Sequence, residues 1–373
     1  MTIEIREITT REELRGYIYF PKLIYKNDPH WVPPIYSDEF NFHNAEANSA
    51  LSYCNVIRLM AYRDRQPVGR IMGIINHKYN NQWGEQTARF FQLDCTNDIE
   101  VAHALISEIE KWAKANGMNK VIGPYGFSDK DPQGLQIEGF EFLPVIATPT
   151  NPEYLRKLVE GEDYHKEVDC LSYQMPIPQF FPETYNKIYD RLSRNKKIRL
   201  LEFSSKRDLK PYIVPVFRLV NECYAPLFGF VPMSEIEMKR FAAQYLPILN
   251  PDFVKVVVDL QNEVVAFVVS MPDMSKGIQK AKGRLFPFGF LQILASAKKT
   301  RQLDLLLGAV KSSFRGKGLT VLLGKSLMTT ASKRGLETMD SHLILETNIR
   351  MRAECEKVGG KVYKRYRVYK KMI

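Results

Sequence analysis

Cysteine is scarce in this chain and poorly placed for any shared task. Its five cysteines, Cys54, Cys95, Cys170, Cys223 and Cys355, are odd in number, far apart and form no CxxC pair. That pattern argues against a disulfide framework and a thiolate zinc site, and fits a reducing compartment. The six histidines include no HExxH or other close ligand pair, so no metal is expected. No apolar stretch is long enough to span a bilayer, and the opening MTIEIREITTREE is charged where a secretory leader is apolar. A cytoplasmic location is expected from these absences.

What remains is an ordinary globular composition, 45% apolar and 25% charged, over 373 residues, room enough for two domains. The net charge of +11 is uneven: from Lys298 to the end there are 18 Lys and Arg against 6 Asp and Glu. The plain reading is a set of solvated side chains on helices and an edge strand. The functional reading is a positive field for an anion, with phosphate, nucleic acid or anionic lipid all admissible.

Periodicity gives the elements. In the first half a strand Thr2–Ile8 precedes a helix Arg11–Tyr25. A hairpin pairs Asn55–Tyr62 with Val68–Asn76, and Phe90–Leu93 is a third strand. A helix Asp98–Asn116 stops at Gly117, and Asn119–Gly123 leads into a glycine-rich loop, Gly123–Gly139. A helix Pro152–Glu160 and a strand Val168–Gln174 close this half. The proline-rich segment Met175–Pro182 marks a boundary, giving domains 1–176 and 177–373. The second half repeats the order: strand Ile198–Phe203, helices Arg207–Leu227 and Ser234–Leu246, and a hairpin of Phe253–Leu260 with Val264–Met271. An irregular basic insertion, Pro272–Thr300, follows. The chain ends with strand Leu303–Val310, a helix from Leu319 to a stop at Gly335, strand His342–Glu346, helix Asn348–Val358 and strand Lys361–Lys370. The shared order reads as a weak internal duplication.

The second half alone carries Arg315-Gly316-Lys317-Gly318-Leu319-Thr320 between its apolar strand and its long helix. Backbone amides at a helix start point at an anion, and glycines let it approach, so this is a candidate phosphate loop. At the matching place the first half has the acidic Asp94–Asp98.

This loop and order of elements resemble the GNAT superfamily of acyl-CoA-dependent N-acyltransferases. Asn348, Ala353, Cys355 and Gly359 are similar to that family's N-x-x-A-x-x-x-Y-x-x-x-G-F segment. Across both halves Tyr25–Pro33, Val68–Ile71, Gly123–Ser128, Glu138–Phe140 and Lys364–Tyr369 resemble tandem GNAT-like bacterial proteins of unassigned substrate. The resemblance implies a mixed α/β (α+β) fold of two tandem GNAT-like domains, each a mostly antiparallel sheet flanked by helices. It implies that Val310, Arg315, Gly316, Lys317, Gly318, Leu319, Thr320 and Asn348 hold acyl-CoA, the acyl chain being acetyl or longer. Glu346 is then the candidate base. Cys355 stands where many members place an acidic Tyr, with Tyr363 as the alternative acid; Thr320 also departs from the loop pattern.

Asn221, Tyr224 and Phe228 share a helix face in the region that shapes acceptor pockets, and Phe288 is a candidate apolar wall. Ser128, Asp129 and Asp131 of the glycine-rich loop are candidates to line a cleft. Each of these has a plain alternative: a packed thiol for Cys355, core aromatics for the tyrosines, a salt-bridged carboxylate for Glu346. The expected reaction moves an acyl group from acyl-CoA to an amine of a small molecule or peptide. Two further readings stay open, a non-catalytic acyl-CoA or anion binder and tRNA-dependent aminoacyl transfer. Nucleic-acid binding lacks a recognisable reading motif.

Overall fold

The computed structural model describes residues 2–146 and 148–373. The first half contributes β1 (Ile3–Glu7), β2 (Cys54–Arg63), β3 (Gln66–Asn76), β4 (Thr87–Cys95), β5 (Lys120–Gly123), β6 (Leu135–Glu138) and β7 (His165–Pro176). The second contributes β8 (Ile198–Glu202), β9 (Val254–Asp259), β10 (Val264–Pro272), β11 (Gln302–Val310), β12 (Thr338–Asp340), β13 (Ile344–Leu345) and β14 (Lys361–Met372). All belong to one sheet, in the order β1-β2-β3-β4-β5-β14-β7-β12-β11-β10-β9-β8, with β6 added to β14 and β13 to β7.

The two halves complete each other's sheet. β14, the last strand of the second half, lies against β5 of the first, with Tyr369 opposite Gly123. β7, from the first half, lies against β12 of the second, with Met175 opposite Met339. Between them β7 and β14 form a long antiparallel ladder from Lys361–Gln174 to Lys370–His165. The expected division at residue 176 is therefore a division of the sequence that the sheet does not follow.

Each half contains one parallel pair that soon parts. β4 meets β5 only at Thr87–Lys120, Ala88–Val121 and Arg89–Ile122. β11 meets β12 only at Gln302–Thr338, Leu303–Met339 and Asp304–Asp340. The second pair parts beyond these residues, and the first after one more bond, from the Tyr125 amide to the Phe90 carbonyl at 2.9 Å, so both splay toward their C-terminal ends. Helix Ile99–Ala115 backs the first half and packs close on β3, where a Cβ at Gly69 would lie 2.7 Å from Leu105. Helix Leu319–Lys333 backs the second, burying Leu319, Leu322, Leu323 and Leu327 at helical spacing.

Several local expectations are corrected. Pro21 divides the expected helix 11–25 into Arg11–Tyr19 and Pro21–Ile24. The helix expected over 207–227 is continuous only over Ile213–Tyr224, so Phe228 lies in the turn beyond it. The strand expected at 342–346 is reduced to Ile344–Leu345, and the pairing that matters is three residues upstream at β12. The insertion 272–300 holds two helices, Ser275–Lys280 and Gly289–Ala297. The basic C-terminal strand is central rather than an edge, and its charges are largely matched: Arg367 with Asp169, Lys370 with Glu167 and Lys371 with Glu110. No helix among the described residues is long and apolar enough to cross a membrane.

Tyr369 is part of the first half's core although it lies four residues from the chain end. Tyr369→Ala should lower the unfolding free energy by about 3–5 kcal/mol in urea titrations. Residues 1–176 expressed alone should fail to unfold cooperatively, because β5 and β7 would both lack the strand that joins them.

Candidate active site

After β11 the chain makes a tight turn at Ser312–Phe314 and passes through Gly316 (φ 73°) and Gly318 (φ 92°) into helix Leu319–Lys333. Among the described residues no side chain caps that helix start. The corresponding helix of the first half is closed: the Asp98 carboxylate accepts from the amides of Glu100 and Val101 and is paired with Arg63. Of the two helix starts beside a splay, the second alone leaves its amides free for an anion. The exposed Arg315 donates from Nε to the Val310 carbonyl at 3.2 Å, and Lys317 lies over the Phe314 ring. A Cβ at Gly316 would meet nothing, whereas one at Gly318 would lie 2.9 Å from Ile188 of helix Glu183–Ser193. Gly318 thus serves packing as well as the turn. Thr320 is exposed on the first turn of the helix.

The other residues singled out from sequence fall in different places. Tyr224 approaches β11 and its hydroxyl bonds both the Gly308 carbonyl (3.0 Å) and the Gly308 amide (3.3 Å). Asn221 holds the backbone of Met233 through both ends of its amide, at 2.8 and 3.0 Å. Phe228 packs edge-on against Tyr125 of the first half. Phe288 is mostly exposed and does not line the cavity described below. Asn348 caps helix Ile349–Lys357 through the Met351 amide. Glu346 is engaged by Lys166 at 2.7 Å and by the Asp169 amide at 3.0 Å. Cys355 is buried in the core with Leu171, Tyr173 and Met175, and burial pushes its thiol up to about 12. Tyr363 reaches a second, buried cluster of charge, donating its hydroxyl to Asp340.

That cluster sits where β11 and β12 part. Asp304 and Asp340 are the last paired residues of the ladder, and both are fully buried. Asp340 faces the ammonium of Lys364, also fully buried, at 3.8 Å, and Lys364 donates to the Leu143 carbonyl at 3.1 Å. Gln302 donates to Asp304 at 2.9 Å. Burial, with Asp273 and Asp340 nearby, pushes the Asp304 carboxyl well above its ordinary value. Burial pulls Lys364 down against the pull of three carboxylates. His342 is held at φ 57°, a left-handed conformation uncommon for a non-glycine residue, and donates from Nε2 to the Ile146 carbonyl (2.9 Å). Sequence reasoning missed Asp273, Asp304, Asp340, His342 and Lys364. The available signal was a single carboxylate inside the apolar run Leu303–Val310.

Next to this cluster is a cavity of about 750 Å³. It occupies the splay of the first half, lined by Phe91–Asp94 of β4 beyond its last pair with β5, and is covered by Glu237, Phe241 and Tyr245 from the second half. Ser128 and Asp131 of the glycine-rich loop line it, as does Ser275. The Ser275 hydroxyl lies 2.6 Å from Pro144 O and 2.5 Å from an Asp273 oxygen, so it connects the cavity wall to the buried cluster. Within the cavity Arg70 and Tyr25 both bond Asp94 at 2.7 Å. Burial raises Glu39 and Asp38 above the ordinary carboxylate range and Asp131 to about 6. Among the described residues none of the three forms an ion pair, and the charges of Arg70 near Glu39 and Lys130 near Asp131 offset their desolvation only in part.

No protein-family model matches the chain. It is 28% identical to Protein YghO of Escherichia coli K12, over 99% of this chain and 95% of that protein. It is 26% identical to a bacterial ceramide synthase of Caulobacter vibrioides, over 100% of this chain and 98% of that protein. Among solved structures it resembles a tandem GNAT protein from the clavulanic acid biosynthesis pathway (TM-score 0.56, 12% identity, 100% of this chain and 98% of that one). It also resembles a GCN5-related N-acetyltransferase from Sphaerobacter thermophilus (TM-score 0.53, 10% identity, 99% and 95%). With a splayed parallel pair in each half of one shared sheet, the chain has the tandem GNAT fold.

Proposed function

We propose that the chain is an N-acyltransferase that joins the acyl group of an acyl-CoA to a primary amine. The observation that carries this is the splay of β11 from β12, leading to an uncapped helix start behind Gly316 and Gly318. The loop fits a pyrophosphate: Gly316 leaves open space, and Arg315 and Lys317 are exposed beside it. Acyl-CoA would supply an activated thioester there. The first half's cavity then receives the amine. Its carboxyls, whose desolvation is only partly offset, favour an ammonium group and its aromatic walls favour an apolar body. One relative is named a bacterial ceramide synthase; a ceramide is an amide of a long-chain amino alcohol, and that is the acceptor class we put forward for this chain.

In this reading Asp304 takes the proton released as the amine forms the amide bond. Tyr363 keeps its proton on Asp340, and the departing sulfur leaves as the CoA thiolate. A carboxyl raised above its ordinary value is a stronger base than a solvent-exposed aspartate. Glu346, tied to Lys166, and Cys355, packed in the core, are left with structural roles.

A second reading, acyl-CoA binding without transfer, draws support from Tyr224, whose hydroxyl occupies the Gly308 amide and carbonyl on the side of β11 away from β10. A bound pantetheine arm would compete for those groups.

CoA at about 100 times its Kd should stabilise the fold by about 2.7 kcal/mol, read as a rise in melting temperature. Arg315→Glu with Lys317→Glu should abolish the rise; no rise in the wild type would sink both readings. Release of free CoA on adding a long-chain amino alcohol separates transfer from binding.

Asp304→Asn should lower kcat by about a hundredfold or more. Its folded-state pKa lies above the unfolded value of about 3.9, so its contribution to stability is full below that value and is lost as pH rises through the folded one. The variant should therefore gain on the wild type in melting temperature as pH rises. Glu39→Gln with Asp131→Asn should raise KM for the amine while leaving kcat nearly unchanged.

A further inference from the structure

Between β10 and β11 the chain leaves the sheet as a helical hairpin, Ser275–Lys280 and Gly289–Ala297. Its inner side is tightly built. Ile278 and Ile293 are buried with Met271 and Met274, and a Cβ at Gly277 would lie 2.7 Å from the Ile293 backbone. The Gly283 carbonyl accepts from the Tyr36 amide at 3.0 Å, which ties the turn to the first half. The outer side is apolar without a cover: Phe286 is 85% exposed, Phe288 68% and Leu291 62%.

The charge around this tip is of one sign. From Met274 to Thr300 there are six basic residues, Lys276, Lys280, Lys282, Arg284, Lys298 and Lys299, and no Asp or Glu. All six are exposed. Among the described residues none of them forms an ion pair, in contrast to the matched charges of β14.

We propose that this hairpin docks the protein on an anionic phospholipid bilayer. Phe286, Phe288 and Leu291 enter the boundary between headgroups and acyl chains, and the surrounding lysines and Arg284 meet the phosphates. A bilayer suits this surface better than a folded partner because the exposed aromatics stand at the turn of a helical hairpin, with Phe286 85% exposed. A protein would need a matching pocket, whereas acyl chains close around any small apolar projection. The same hairpin contributes Ser275 and Ile278 to the cavity wall. Docking would therefore bring the cavity to the membrane surface, where an amine with a long apolar tail is held. Docking does not depend on transfer chemistry, so its test is separate from that of the proposed activity.

The full-length protein would be sedimented with phosphatidylcholine vesicles and with the same vesicles containing phosphatidylglycerol. Binding is expected to the anionic vesicles and to weaken as salt is raised. Phe286→Ser with Phe288→Ser should reduce the bound fraction about tenfold, as should Lys280→Glu with Lys282→Glu and Arg284→Glu. Because these side chains are exposed, both variants should keep the wild-type melting temperature. Absence of wild-type binding to either vesicle would overturn the proposal, as would binding that both variants retain. Tip-dependent self-association in sedimentation velocity, without vesicle binding, would identify a protein contact instead and equally overturn it.

Discussion

β14 hydrogen-bonds to β5 and β6 along one edge and to β7 along the other, while β7 continues to β12. That arrangement joins two half-sheets without a seam and sets the distance between the two splays. Charge fixes the ladder as well as backbone pairing. Asp169 on β7 receives both nitrogens of Arg367 on β14 at 2.8 and 3.0 Å, and the ion pair lies across paired residues. A slip of one residue would turn Arg367 and Lys364 to the opposite faces and break these contacts together. Because the splays open from this central block, the buried cluster of one half and the cavity of the other come within a single serine of each other.

The halves use the same frame for different ends. In the second, a splay leads to a glycine loop and an open helix start. In the first, Asp98 closes the helix start, and Arg70, Tyr25 and Asp94 are drawn into the space between the strands. An anion and an amine ask for opposite surroundings, and in the proposed function each half would supply one of them. The charge placement agrees: exposed cations flank the glycine loop, while carboxyls raised by burial line the cavity.

The sequence makes the glycine loop legible because glycine spacing and the period of Leu319, Leu322, Leu323 and Leu327 are local signals. The hairpins of β2 with β3 and β9 with β10 are legible for the same reason. The exchange of β7 and β14 is not, since an alternating pattern says which face of a strand is buried and not which strand lies beside it. Lys364 sits among Lys361, Arg365, Arg367, Lys370 and Lys371, a run that reads as solvated until the strand is known to be central. Asp304 was visible as an exception within an apolar strand, yet only the ladder shows it to be the last paired residue before the splay. His342 gives no local sign of its backbone conformation.

The exchange also bears on how the molecule forms. Gly123 finds its partner only at Tyr369, so the first half cannot close its sheet from its own residues. Contacts this distant in sequence carry a large loop-closure cost and slow the folding of domains that depend on them. Until β14 arrives, β5 presents an unpaired edge of Val121 and Ile122 to any other strand nearby. The joined sheet is thus gained at the risk of an interval in which the first half is open to pairing with the wrong chain.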